Sequence, residues 1–235
     1  MSTNTTSSNI RQAAITVGIS SVIMFFGAMI AEFYARQNLI VANNADVTAL
    51  NIINHTGSFK IGILGFIIVL ICDVLVSWAL YIFLNPINKN ISLLAALFRL
   101  VYTAIFGVVL LNLITGFRLL TETRYAVGAI NIQALLLFNS FDDGWAVGLL
   151  FFGIHLLLLG YLILNSSFIP KLIGILLLLA SLAYMTDNLA KLLLNDYASY
   201  KNILTLFVAI PSILGEVGFA IWLLVKGRKL RDAIS

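Results

Sequence analysis

The sequence predicts an all-α polytopic membrane protein, a six-transmembrane-helix bundle with short amphipathic outer helices. Three observations carry that expectation. Hydrophobic residues make up 61% of the 235-residue chain and charged residues only 10%, against roughly half and about a quarter in soluble domains. The mean hydropathy is +1.03. Apolar runs of about 20 residues, the length of one helical crossing, recur with short connections and leave no room for a separate soluble domain.

The formal charge of +4 gathers at the end of the chain, in Lys226, Arg228, Lys229 and Arg231. It reads as an orientation signal rather than a nucleic-acid surface. The bilayer is the expected partner and a small molecule or lipid the candidate ligand; no nucleic acid and no cofactor are expected, and oligomeric state is not encoded legibly. Cys72 is the single cysteine, which excludes an internal disulfide and a cysteine-based metal cage.

Residues 1–12 read as a polar cytoplasmic tail rich in Ser, Thr and Asn. The first crossing follows from about Ala13 to Tyr34, too long an apolar core for a cleaved signal peptide. At its end Glu32 and Arg36 stand four residues apart, the spacing of an interfacial ion pair on one helix face. Ala45 to His55 carries Asp46 at an N-cap position and Val47, Leu50 and Ile53 at helical spacing, an outer-surface helix.

The second crossing spans Phe59 to Leu84 and brings Asp73, Ser77 and Gly62 to roughly one face; Pro86 then forces a tight turn. Ile91 to Leu120 forms the third, long enough to tilt or project. Its Arg99 lies in a stripe with Ser92, Ala95, Ala96, Tyr102 and Thr103, small and polar residues that let helices approach closely.

Thr121 to Gly144 reads as a connection with an interfacial helix at Ile130 to Phe138, and Asp142, Asp143 and Trp145 mark the membrane edge. The fourth crossing, 145–164, holds His155 at its middle. The fifth, 169–194, carries Asp187 and Lys191 four apart, again the spacing of a local ion pair. In the sixth, 203–225, Pro211 and Gly215 predict a kink just before Glu216, which shares a face with Ser212 and Ala220. Residues 226–235 form a basic cytoplasmic tail.

With both termini inside, Arg11, Lys89, Lys171 and the four tail residues oppose Arg36, Lys60, Arg118, Arg124, Lys191 and Lys201 outside. The margin is one residue, and the tail decides it.

Depth then singles out four side chains. At about 1.5 Å per residue, Asp73 lies about 16 Å from the cytoplasmic end of its run, Arg99 about 12 Å, and His155 and Glu216 about 13 Å each. A charge at a helix centre costs on the order of 2.5 to 3.5 kcal/mol on insertion scales, so these residues should turn inward and find partners. Asp73 and Arg99 are the obvious pair, on antiparallel neighbours joined by a short turn.

Three functions suit such a layer. A histidine among carboxylates fits proton-linked transport or small-solute binding, since imidazole changes charge near neutral pH. A metal-dependent intramembrane hydrolase could use His155, Asp73 and Glu216, although no HExxH pattern is present and His55 lies far away. A non-catalytic helper or sensor would use the layer only to fix helix register. No GxSxG elbow and no glycine-rich phosphate loop occurs, so no catalytic residue is assigned.

Three stretches also resemble a known family: Ala45 to Ile63 (ADVTALNIINHTGSFKIGI), Ala79 to Ile105 (ALYIFLNPINKNISLLAALFRLVYTAI) and Phe151 to Leu177 (FFGIHLLLLGYLILNSSFIPKLIGILL). Their Asn-Pro turn, the Phe98-Arg99 pair and the Gly-Tyr-Leu followed by Ser and Ile-Pro resemble the bacterial membrane family catalogued as domain of unknown function 4386. The resemblance implies a multi-pass protein of a bacterial inner membrane and no particular activity. It also implies that Asp46, Asp73 and Arg99 belong to the family pattern.

Overall fold

The computed structural model describes residues 2–122 and 127–226. Among them the chain is helical with short turns and no strand. Helix α1 (Ser2–Met29) runs through a π-helical segment, π1 (Ile30–Arg36), into the short α2 (Gln37–Leu39). There follow α3 (Ala45–Asn54), α4 (Thr56–Leu84), α5 (Lys89–Glu122), α6 (Val127–Asn165), α7 (Lys171–Leu193) and α8 (Tyr197–Ser212). A second π segment, π2 (Ile213–Val217), leads into α9 (Gly218–Lys226).

Among the described residues six helical stretches are long and apolar enough to cross a membrane: Asn9–Leu39, Thr56–Leu84, Lys89–Glu122, Gly128–Asn165, Lys171–Leu193 and Tyr197–Lys226. Their surface pattern is that of a lipid-facing protein. On α4, Leu64, Ile71 and Trp78 are exposed while Asp73 and Ser77 are completely buried. Hydrocarbon rewards apolar side chains outside and polar ones within. The chain is a multi-pass, all-α membrane protein, as its composition predicts.

Several boundaries differ from the sequence reading, each for a local reason. Helix α1 already begins at Ser2, within the stretch read as a polar tail, and the last span begins at Tyr197 rather than Ile203. The largest difference lies between Thr121 and Gly144. The supposed interfacial helix is continuous with the fourth crossing in the 39-residue α6, about 58 Å long at helical rise. Asp142, Asp143 and Trp145 stand inside that helix rather than at its start. Nothing between Ile130 and Trp145 breaks a helix except Gly144, and one glycine costs only about 1 kcal/mol. Arg124, Arg228, Lys229 and Arg231 lie outside the described residues.

Caps and turns follow the side chains available. Asn44, not Asp46, caps α3, its side chain accepting from the Val47 N–H at 3.1 Å. Asn43 occupies the left-handed region at φ 60°, which asparagine tolerates better than most residues. After Pro86, Asn88 Oδ1 accepts from the N–H groups of Asn90 and Ile91, both at 3.1 Å. Ser92 Oγ donates to the Tyr81 carbonyl at 3.0 Å and fastens the start of α5 to the end of α4. Pro211 withholds a helical N–H, and the break predicted there takes the form of π2.

The chain packs as two compact units, Met1–Ile23 with Cys72–Thr103 and Ala146–Ser235, and Met24–Ile71 with Ala104–Trp145. In the second, Phe66, Phe106, Phe141 and Trp145 form an aromatic core, with Phe106 stacked on Trp145 at 5.2 Å and Phe66 edge-on to Phe106 at 5.4 Å. Gly62 and Gly65 of α4 meet Gly27, Ala31 and Ala35 so closely that a Cβ on Gly65 would stand 3.0 Å from the Gly27 carbonyl oxygen. Small residues let two backbones touch where lipid supplies no hydrophobic drive.

In the first unit, α6 and α7 make the same kind of contact at Gly160 and Gly174. A Cβ on Gly160 would lie 2.9 Å from the Gly174 carbonyl oxygen, a backbone atom that cannot yield cheaply. Gly160→Leu should therefore cost about 1–3 kcal/mol through overpacking. Gly57→Ala, with nothing within 4 Å of the added carbon, should be neutral or stabilise by up to about 1 kcal/mol. Thermal unfolding in detergent checks both; an unchanged midpoint for Gly160→Leu would refute the close approach.

Candidate functional site

Asp73 from α4, Arg99 from α5, His155 from α6 and Glu216 from π2 all belong to the first unit. The face of α5 that carries Arg99 is turned inward: Ser92, Ala95, Ala96, Arg99, Tyr102 and Thr103 are all buried. Arg99 is the junction. Its Nη2 donates to Asp73 Oδ1 at 2.5 Å, and its Nη1 faces His155 Nε2 at 3.2 Å.

The remaining imidazole nitrogen settles the tautomer. His155 Nδ1 lies 2.8 Å from the Ala95 carbonyl oxygen. A carbonyl can only accept, so Nδ1 carries the hydrogen and the Nε2 lone pair receives Arg99. The imidazole is thus neutral, and protonating it would set two cations face to face.

Phe152 organises the aromatic side of the same centre. The Arg99 guanidinium lies 5.3 Å from its ring centroid, a cation–π contact, and the His155 ring packs against it at a tilt, 5.7 Å between centroids. Tyr102 packs on Phe152 at 5.0 Å, and Tyr184 of α7 meets it edge-on at 5.5 Å. Glu216 stands on π2, which packs against α7, the helix that carries Tyr184.

Other predicted residues serve the backbone. Ser77 Oγ donates to the Ala96 carbonyl at 2.8 Å, and Thr103 Oγ1 to the Arg99 carbonyl at 2.8 Å. Ser212 Oγ donates to the Val208 carbonyl at 2.6 Å. These contacts lock helices and turns rather than face a ligand. Asp73 Oδ2 differs: it is buried with no hydrogen-bond partner.

The outer polar residues separate. Glu32 and Arg36 pair within π1 of the second unit, and Arg36 Nη1 also donates to Asp142 Oδ1 at 2.7 Å while the guanidinium lies over Phe141. Asp46 accepts from Asn131 Nδ2 at 2.7 Å in that unit. Asp187, in the first unit, accepts the Tyr197 hydroxyl at 2.8 Å, and Lys191 occupies the last turn of α7. Phe152 and Tyr184, and the pairing of Asp142 with Arg36, are what sequence reasoning missed. Tyr184, a lone hydroxyl-bearing aromatic in the middle of the fifth run, was the one legible signal.

The metal reading finds no support in this geometry. Among the described residues no group of three His, Cys, Asp or Glu side chains could hold a metal ion, and both His155 nitrogens are already engaged.

Comparisons place the chain among known sequences. A family model described as "Domain of unknown function (DUF4386)" matches residues 16–227. An uncharacterized protein of Archaeoglobus fulgidus is 40% identical over 173 residues, covering 74% of this chain and 88% of the relative. No solved structure matches.

A charge pair sealed from water predicts a specific pattern of stability. Removing one partner strands the other, at a cost of about 3–5 kcal/mol. Asp73→Asn and Arg99→Leu should each lower the unfolding midpoint strongly, and the double variant should lose less than the sum. Additive losses would mean that the two side chains are not coupled.

Proposed function

This chain belongs to the family described as domain of unknown function 4386, and on that premise we propose that it is a proton-linked carrier or receptor for a small solute, with the polar layer of Asp73, Arg99, His155 and Glu216 as its working site. One observation carries the reading: charged and titratable side chains from α4, α5, α6 and π2 converge in one unit. Intramembrane charges are expensive, and they mark substrate and proton paths by default. Glu216 rides on a π turn, a backbone irregularity frequent at functional sites. The site lies in a cytoplasmic membrane with both termini on the cytoplasmic face, the orientation favoured by the basic residues.

A second reading has its own support. The hydroxyls of Ser77 and Thr103 and both nitrogens of His155 are satisfied within the protein, as a static clamp in a helper or sensor would require. Vesicle measurements separate the two. Reconstituted protein should dissipate an imposed pH gradient, read by an entrapped dye, when a panel of small solutes is added. Glu216→Gln should unfold at the wild-type temperature yet reduce that flux to the level of protein-free vesicles. Undiminished flux in this variant would end the carrier reading of Glu216.

A further inference from the structure

Two cations stand together where the lipid-facing surface of the second unit ends. On α4 the exposed apolar series Ile61, Leu64, Ile67 and Ile71 begins directly after Lys60. On α5 the exposed Val108 and Leu111 give way to Thr115 and Arg118. The two helices meet at one level there, since Phe59 stacks on Phe117 at 5.3 Å. Lys60 and Arg118 each follow one of these rings by a single residue, and both are exposed.

Helical rotation puts both on the same side of the seam between α4 and α5. The seam runs through Phe59 with Phe117 and Phe66 with Phe106. Gly107 follows Phe106 as Arg118 follows Phe117, and eleven residues are close to three whole turns. A Cβ on Gly107 would meet only the Leu70 side chain, at 3.9 Å, so Leu70 marks that side on α4. Lys60 turns from Phe59 in the sense that leads from Phe66 to Leu70, and its Nζ leans across to α5, 5.8 Å from the Phe117 ring centroid. Among the described residues neither cation forms an ion pair, not even Arg118 with Glu122 one turn beyond it. Like charges side by side at the edge of hydrocarbon repel unless an anion joins them.

Below the cations the same side of the seam is a shallow apolar groove. The half-buried Leu70 and Gly107 form its floor, and the exposed Leu64, Ile67 and Leu111 flank it. Gly107 offers no side chain to fill it.

We propose that this groove is a phospholipid site, in which Lys60 and Arg118 hold the headgroup phosphate and an acyl chain lies over Gly107 between Ile67 and Leu111. Guanidinium and ammonium groups both donate charge-assisted hydrogen bonds to phosphate oxygens. Two cations favour a headgroup with a net negative charge over one whose own ammonium balances the phosphate. The site lies within the second unit and stands whether or not the polar layer carries a solute.

Native mass spectrometry of the full chain, released from detergent containing phosphatidylglycerol or phosphatidylethanolamine, reads bound lipid directly. Phosphatidylglycerol should be held about fivefold more tightly, the worth of one net charge near a surface. Lys60→Gln and Arg118→Gln should each weaken its retention about fivefold, and Lys201→Gln, an exposed cation of the first unit, should not. Gly107→Leu keeps every charge but fills the groove, and should weaken retention about fourfold for each methylene displaced. Should that variant unfold below the wild-type temperature, Gly107→Ala takes its place, its added carbon being in ordinary contact with Leu70. Equal losses in Lys201→Gln would reduce the effect to general surface attraction and overturn the site. Undiminished retention in both cation variants, or equal retention of the two lipids, would overturn it as well. Displacement of the lipid by an equal concentration of inorganic phosphate would assign the cations to a free anion and overturn the phospholipid.

Discussion

A guanidinium surrounded by leucine, isoleucine and phenylalanine cannot be left to itself. Arg99 is held by Asp73 on one side, His155 on another and the face of Phe152 on a third, and much of the first unit is arranged to allow this. The small residues of α5 bring neighbouring backbones close, the Ala95 carbonyl orients the imidazole, and the Ser77 hydroxyl closes on Ala96. Each contact lowers the cost of burying a charge that no water can reach. Register between α4, α5 and α6 is therefore tied to one side chain.

The second unit solves a related problem with different means. There Arg36 is shared by Glu32 and Asp142 and covered by Phe141, and the surrounding core is aromatic. Both units place an arginine over a phenylalanine ring with carboxylates beside it. They differ in closure, since Arg36 lies in a π segment and its carboxylate partners are partly exposed, whereas Asp73 is fully buried.

What could be read from the sequence depended on periodicity and depth. The six apolar runs and the inward face of α5 were legible because hydrocarbon enforces them. The meeting of Asp73, Arg99 and His155 was legible from their similar distances along neighbouring runs, because helical rise is constant. The continuity of α6 through Asp142 and Trp145 was not, since a polar residue inside a helix and one at its end look alike in one dimension. Asn44 as the cap of α3 was obscured in the same way by Asp46, an equally good capping type two residues later.

By itself the sequence determined the class of this protein: a chain that is 61% hydrophobic and 10% charged can satisfy its backbone in lipid only as helices or a closed barrel, and its apolar runs have helical length. Tertiary structure decided which nitrogen of His155 carries the hydrogen, that Arg99 meets this imidazole as well as Asp73, and that Phe152 covers the guanidinium. Those outcomes depend on the rotation of each helix about its axis and on the hydrogen bonds available at contact distance, which residue spacing along one chain does not specify.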